Sequence, residues 1–264
     1  MTALYGSTAM PKRVFGEGEL LGIFEESMNE LTPGCWEANK AFLALWDPTA
    51  TAYSWVLPDN FHVHVKVMDS VVETVHFLNE PFDVISKVNA PVEQGRSLGA
   101  NTIHSLDGMI VREMTRRCNY NPKRVEALFG WLKTGHAGTR SERPDDEMVQ
   151  ILWRHYQKSG YLSARILEHL LPENLGLVDP AVILELLETL PEKPFKVLSI
   201  HDCFRCLPTY GNDLRAQYTY QLHLIAKSSM LSFLLGQIIG RPIAINKLDP
   251  TLADDVMFSN YALS

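Results

Sequence analysis

Residues 196–208 read KVLSIHDCFRCLP: two short apolar runs, KVLSI and CFRCL, with His201 and Asp202 at the bend between them. Their β-branched and aromatic content predicts two short buried strands. A carboxylate fixed where buried strands turn suits a divalent cation, which takes rigidly held oxygen ligands and offsets the cost of keeping the charge there. The same aspartate can instead bond its own backbone as an ordinary turn residue. The stretch alone leaves both open. Neighbours on a strand face opposite ways, so His201 need not share a ligand with Asp202.

Other chemistries for this stretch fare worse. Cys203 and Cys206 spell CxxC, but residues three apart on a strand point to opposite faces, and no second CxxC exists. Two small buried cysteines are the better reading. A helical His-Asp metal phosphohydrolase carries its pair on a helix, whereas these flanks are β-like. No G-x-S-x-G elbow supports a serine hydrolase.

Working outward, the 264 residues with 46% hydrophobic content suffice for one large or two smaller domains. No run reaches the length of a membrane span, and MTALYGSTAMPKR at the start lacks the apolar segment of a signal peptide. Four cysteines suit a reducing compartment. A soluble cytoplasmic protein is expected, with no membrane partner. The formal charge of −7 argues against a free-standing grip on nucleic acid. Residues 1–118 hold 9 Lys and Arg against 15 Asp and Glu, so another chain is expected to supply positive charge if nucleic acid is handled.

Helix signals dominate the rest. LTPGCWEANKAFLALWDP, residues 31–48, is framed by Thr32 as N-cap, Pro33 at the first helical position and Asp47-Pro48 as a stop. TAYSWVLPDNFHVHVKV, residues 51–67, predicts a hairpin around Pro58-Asp59-Asn60. From there to Gly99, β-formers mixed with Pro81, Pro91 and Gly95 read only as strand or loop. A helix is expected from Ser105 as cap, with Asp107 in its first turn and a stripe of Leu106, Ile110 and Met114, ending near Cys118. Helices follow from Asn121-Pro122 to Gly135, up to Gly160, and from Asp179-Pro180 to Pro191, so residues 119–195 read as a compact helical unit. One long helical stretch runs from about Asp213 to Gly240.

Four short stretches in order resemble the C-terminal part of the single-subunit DNA-directed RNA polymerases of bacteriophages and mitochondria. MTALYGS, residues 1–7, is similar to the end of the nucleotide-binding finger helix called motif B. SWVLPDNF, residues 54–61, resembles the hairpin that precedes that family's specificity loop, and NTIHSLDG, residues 101–108, its His-Ser-x-Asp-Gly segment. LSIHDCF followed by Pro208 resembles palm motif C, a β-turn-β unit ending in a metal-binding aspartate. The ending DDVMFSNYALS is similar to the family's C-terminus, whose free carboxylate, here on Ser264, lies near the active site. Family-A DNA polymerases carry a glutamate where this chain has Cys203, which favours RNA synthesis.

The resemblance implies a helix-rich α+β fold forming the C-terminal part of a right-hand polymerase. It assigns residues 1–103 to the remaining fingers with a specificity-type hairpin, residues 104–118 and 196–264 to the palm, and residues 119–195 to a helical insertion without counterpart. It implies Asp202 as ligand for Mg²⁺, His201 beside the primer end, and Tyr5, Gly6 and His104 around the incoming ribonucleotide, with Tyr5 helping to sense the 2′-hydroxyl. Asp107 is expected to cap the helix behind His104. Two-metal catalysis needs a second aspartate, from motif A, and motif B needs its basic residues. Both would precede Met1. The expectation is a two-subunit enzyme whose partner brings them, acting on DNA template, ribonucleoside triphosphates and RNA product, with accessory transcription factors possible. Partner docking is the role expected of the insertion. The alternatives are a non-catalytic polymerase-like scaffold for transcription factors and a metal-dependent phosphohydrolase.

Overall fold

A computed structural model describes residues 9–135, 144–201 and 203–259. They form a helix-rich α+β arrangement in which ten α-helices accompany three two-stranded sheets. The chain divides into two compact units, at Trp55/Val56, His62/Val63 and Ser105/Leu106.

The first unit holds α1 (Ala9–Phe15), α2 (Glu19–Leu31) and α3 (Pro33–Ala44). Pro33 opens α3 as expected, but Thr32 makes no side-chain cap; its hydroxyl donates backward to Met28 O at 2.9 Å. The hairpin predicted around Pro58-Asp59-Asn60 is present as β1 (Ala52–Val56) and β2 (His62–Lys66). Where the sequence left strand or loop open, β3 (Met68–Phe77) and β4 (Glu80–Asn89) form a second hairpin of ten antiparallel pairs. Leu78 and Asn79 make its turn at φ of 52° and 66°, the left-handed pair that matches strand twist in a two-residue connection. The buried apolar side chains described here are few: Phe42, Trp55, Val67 and Leu98. Gly95 is required beneath Trp46, because a Cβ there would stand 2.1 Å from the indole.

Helix α4 (Ser97–Cys118) begins eight residues earlier than expected. Ser105 is therefore not a cap: its hydroxyl donates to Thr102 O at 2.7 Å and accepts from Trp55 Nε1 at 3.0 Å. Asp107 falls inside the helix, outside the first turn where a carboxylate caps, so its expected capping role is lost.

In the second unit, α5 (Pro122–Thr134), α6 (Pro144–Ser159) and α7 (Pro180–Glu188) surround one apolar core that includes Leu128, Leu152, Ile166 and Ile183. Their ends follow local chemistry. Asn121 accepts from the backbone of Lys123 and Arg124, Asp179 accepts from that of Ala181, and Gly135 and Gly160 take positive φ at the stops. The predicted 213–240 helix is broken in two, α8 (Gly211–Lys227) and α9 (Met230–Ile239), meeting at 57°. Ser228 causes the break: its backbone is extended, its hydroxyl accepts from Met230 N, and the next amide, Ser229 N, bonds Ser159 O at 2.7 Å. The last element is α10 (Leu252–Phe258). No single helix among the described residues is long and apolar enough to cross a membrane, although α8 with its lead-in and α9 together have the length and composition.

Candidate functional site

The opening stretch folds as β5 (Leu198–Ile200) and β6 (Cys203–Arg205), antiparallel, with Ile200 opposite Cys203. His201 sits in the turn at φ 55°, left-handed backbone that a β-branched or bulky residue rarely adopts without surrounding restraint. The hairpin is seated from below. Val197 and Phe195 are buried with Ile110, Met114 and Cys118 of α4, and Phe204, Tyr210, Tyr218 and Leu222 pack against them. Phe195 stacks on Tyr210 at 4.7 Å, Phe204 meets Tyr218 edge-on at 5.2 Å, and Phe195 N donates to Cys118 O at 2.7 Å.

The strands themselves are not buried, contrary to the sequence reading. Leu198 is 58% exposed and Ile200 57%, and Cys203 is exposed while Cys206 is half-buried. A two-stranded sheet resting on one core has a covered underside and an open top, so apolar composition here marks a need for cover that the described residues do not meet. Among the described residues the pairing stops at two strands, and no third strand joins the outer edges of β5 and β6.

A charged network in the second unit was not anticipated. Asp59, in the first hairpin's turn, is buried and accepts from Arg112 Nε at 2.6 Å, Arg112 Nη2 at 3.1 Å and Arg116 Nη1 at 3.0 Å. Burial alone raises the Asp59 carboxyl, but these guanidinium bonds outweigh it and hold the group below its ordinary value. Arg116 also bonds Glu113 at 2.6 Å, and Glu113 accepts from Ala164 N at 2.7 Å and from the Ser163 hydroxyl. Arg165 donates to Asp59 O at 2.9 Å, and Gln237 bonds both backbone groups of Val56. Arg117, 1% exposed, donates to Gln217 Oε1, Thr189 O and Thr189 Oγ1, with its guanidinium 4.9 Å from the Tyr220 ring. Burial lowers its pKa. The available signal was spacing: Glu113 and Arg117 stand beside Ile110, Met114 and Cys118 on the apolar stripe of α4, so they had to be buried with it.

Of the residues singled out from sequence, His201 lies exposed in the β5–β6 turn, His104 is exposed on α4 within the first unit, and Asp107 is partly covered on α4 within the second. Tyr5, Gly6, Asp202 and Ser264 lie outside the described residues. Among the described residues no three His, Cys, Asp or Glu side chains gather as metal ligands. The Cys118 thiol, pushed up to about 12 by burial, is an inert core residue. Comparison with protein-family models and with curated proteins returns no match.

Proposed function

We propose that this chain is the C-terminal subunit of a two-subunit, phage-type DNA-directed RNA polymerase that adds ribonucleoside monophosphates to an RNA 3′ end on a DNA template. The observation that carries the reading is the β5–β6 hairpin. A β-turn-β unit on a rigid aromatic base presents His201 on left-handed backbone directly before Asp202, with an open edge and two exposed apolar residues beside it. Such an edge suits a strand from another chain, and motif A would arrive on one. The β flanks also favour this reading over the helical His-Asp phosphohydrolase.

In this proposal Asp202 is the chain's own ligand for Mg²⁺, and the partner's motif A supplies the second carboxylate. His201 borders the primer end. Tyr5, Gly6 and His104 contact the incoming nucleotide. The partner also supplies the Lys and Arg that a chain of charge −7 lacks for nucleic acid.

The test is reconstitution. The isolated chain is expected to be inactive, and mixing it with the motif-A-bearing chain that accompanies it in its native host is expected to give template-dependent RNA synthesis. Activity of this chain alone would sink the proposal. Asp202→Ala is expected to abolish synthesis while the complex still assembles; unchanged turnover would instead favour a non-catalytic scaffold. Nucleotide hydrolysis by the isolated chain with Mn²⁺ or Co²⁺ would favour the phosphohydrolase.

A further inference from the structure

A cavity of about 220 Å³ opens among the helices of the second unit, and the proposed polymerase chemistry makes no use of it. Its walls are Arg117 from α4, Tyr156 from α6, Val182 and Leu186 from α7, and Tyr220 and Leu224 from α8. Leu162 adds to the apolar lining, while Glu185 and Lys227 are exposed at the mouth.

Arg117 makes this more than a gap in the packing. Its side chain is buried, yet every acceptor it reaches is neutral: Gln217 Oε1 takes the bond from Nε, and Thr189 O and Oγ1 take those from Nη2. Glu113, one turn away on α4, is already bonded to Arg116, Ser163 and the Ala164 amide. Among the described residues no carboxylate pairs with Arg117, and no acceptor meets its Nη1. A guanidinium keeps its proton in proteins, so the buried charge cannot be removed by ionisation. The Tyr220 ring, 4.9 Å from the guanidinium, offsets only part of the desolvation. A buried cation without a counter-charge is unfavourable, and an anion entering the cavity would supply one.

Size and lining narrow the class of anion. A dry apolar cavity of ~150 Å³ takes a benzene ring, so this one has room for a ring and one further small group. That group must be anionic to meet Nη1, and singly charged because one cation is buried and Lys227 at the mouth is balanced by Glu185. Inorganic phosphate would lose its hydration against Leu162, Val182, Leu186 and Leu224 without regaining hydrogen bonds there.

We propose that this cavity binds a small monocarboxylate with an apolar body, the carboxylate on Arg117 Nη1 and the body among Leu162, Leu186, Leu224 and Tyr220. The site stands apart from the polymerase reading, and its failure would leave that reading untouched. Four helices line the cavity, so occupancy holds them together and raises the unfolding temperature.

The experiment is calorimetric titration of the full chain with sodium benzoate at constant ionic strength. One benzoate is expected to bind per chain. Benzamide, of the same shape without the charge, is expected to bind at least about tenfold more weakly, and sodium phosphate more weakly than benzoate. Arg117→Met keeps the length of the side chain and removes its charge; Leu224→Trp fills the cavity and keeps Arg117. Each is expected to lower benzoate affinity by about tenfold or more in protein that circular dichroism shows to be folded. Absence of saturable benzoate binding overturns the proposal, and so does equal affinity for benzamide or tighter binding of phosphate. Benzoate affinity unchanged in either folded variant overturns it as well. If neither variant folds, the comparison of benzoate with benzamide on the unaltered chain decides.

Discussion

Hairpin β3–β4 pairs ten residues on each strand and leaves every one exposed, whereas β5–β6 pairs three and rests on an aromatic core. Length and stability are therefore uncoupled here. Beyond the Asn89 amide at its base, which donates to Thr51 O at 2.8 Å and Val67 O at 2.7 Å, the long hairpin relies on its own cross-strand pairs, each contributing about 0.2–1 kcal/mol. The short one takes its order from Phe195, Met114 and Tyr210 beneath it.

The comparison breaks first where the core is cut. Phe195→Ala removes a buried ring stacked on Tyr210 and is expected to cost about 4 kcal/mol in denaturant unfolding, with disorder reaching the β5–β6 turn in hydrogen exchange. A loss below about 1 kcal/mol would show that the short hairpin does not depend on its base. Asp59→Asn is the next largest change, about 3 kcal/mol, because it leaves Arg112 without its buried counter-charge and Arg116 with Glu113 alone. The folded carboxyl is held low, so its stabilisation is present above the ordinary aspartate value and lost as pH falls through the folded value. The wild type should therefore lose stability more steeply than Asp59→Asn below about pH 4.

His155 gives a gentler pH effect in the same direction. Burial, then Lys158 and Arg154, lower its pKa, and its Nε2 lies 3.2 Å from Asn60 Oδ1. Its contribution is complete above the ordinary histidine value and declines as pH falls through the lowered one; His155→Gln is expected to flatten that limb of a thermal-unfolding series. At the small end, Val75→Ala on β3–β4 should change stability of the isolated chain by no more than about 0.5 kcal/mol. A larger loss would mean that the exposed face is already packed.

What the sequence disclosed follows from range. Caps and stops were legible because they act within four residues: Asn121 and Asp179 begin helices, and Gly135 and Gly160 end them, where their chemistry directs. Ser105 misled because a serine before an apolar stripe looks like a cap whether or not the helix has already begun; buried Leu98 and Thr102 extend it upstream. The β3–β4 hairpin was obscure because alternation arises when one face meets a core, and neither face does. Pro81 reinforced the doubt, yet it is tolerated near the turn opposite His76. At the candidate site the β-turn-β form was readable from composition. Its exposure was not, since an apolar run says that cover is needed and not which chain brings it.

The unequal exposure of the four thiols turns the molecule into an optical instrument. Cys118 is buried with a thiol that ionises only near 12, while Cys35 and Cys203 are open to reagent and Cys206 is half-covered. With Cys35 and Cys206 changed to serine, a maleimide dye would settle on Cys203 alone, one residue from Asp202. Its emission would then report any change of cover at the β5–β6 turn in real time, which under the polymerase proposal includes arrival of the partner chain, the template and each nucleotide.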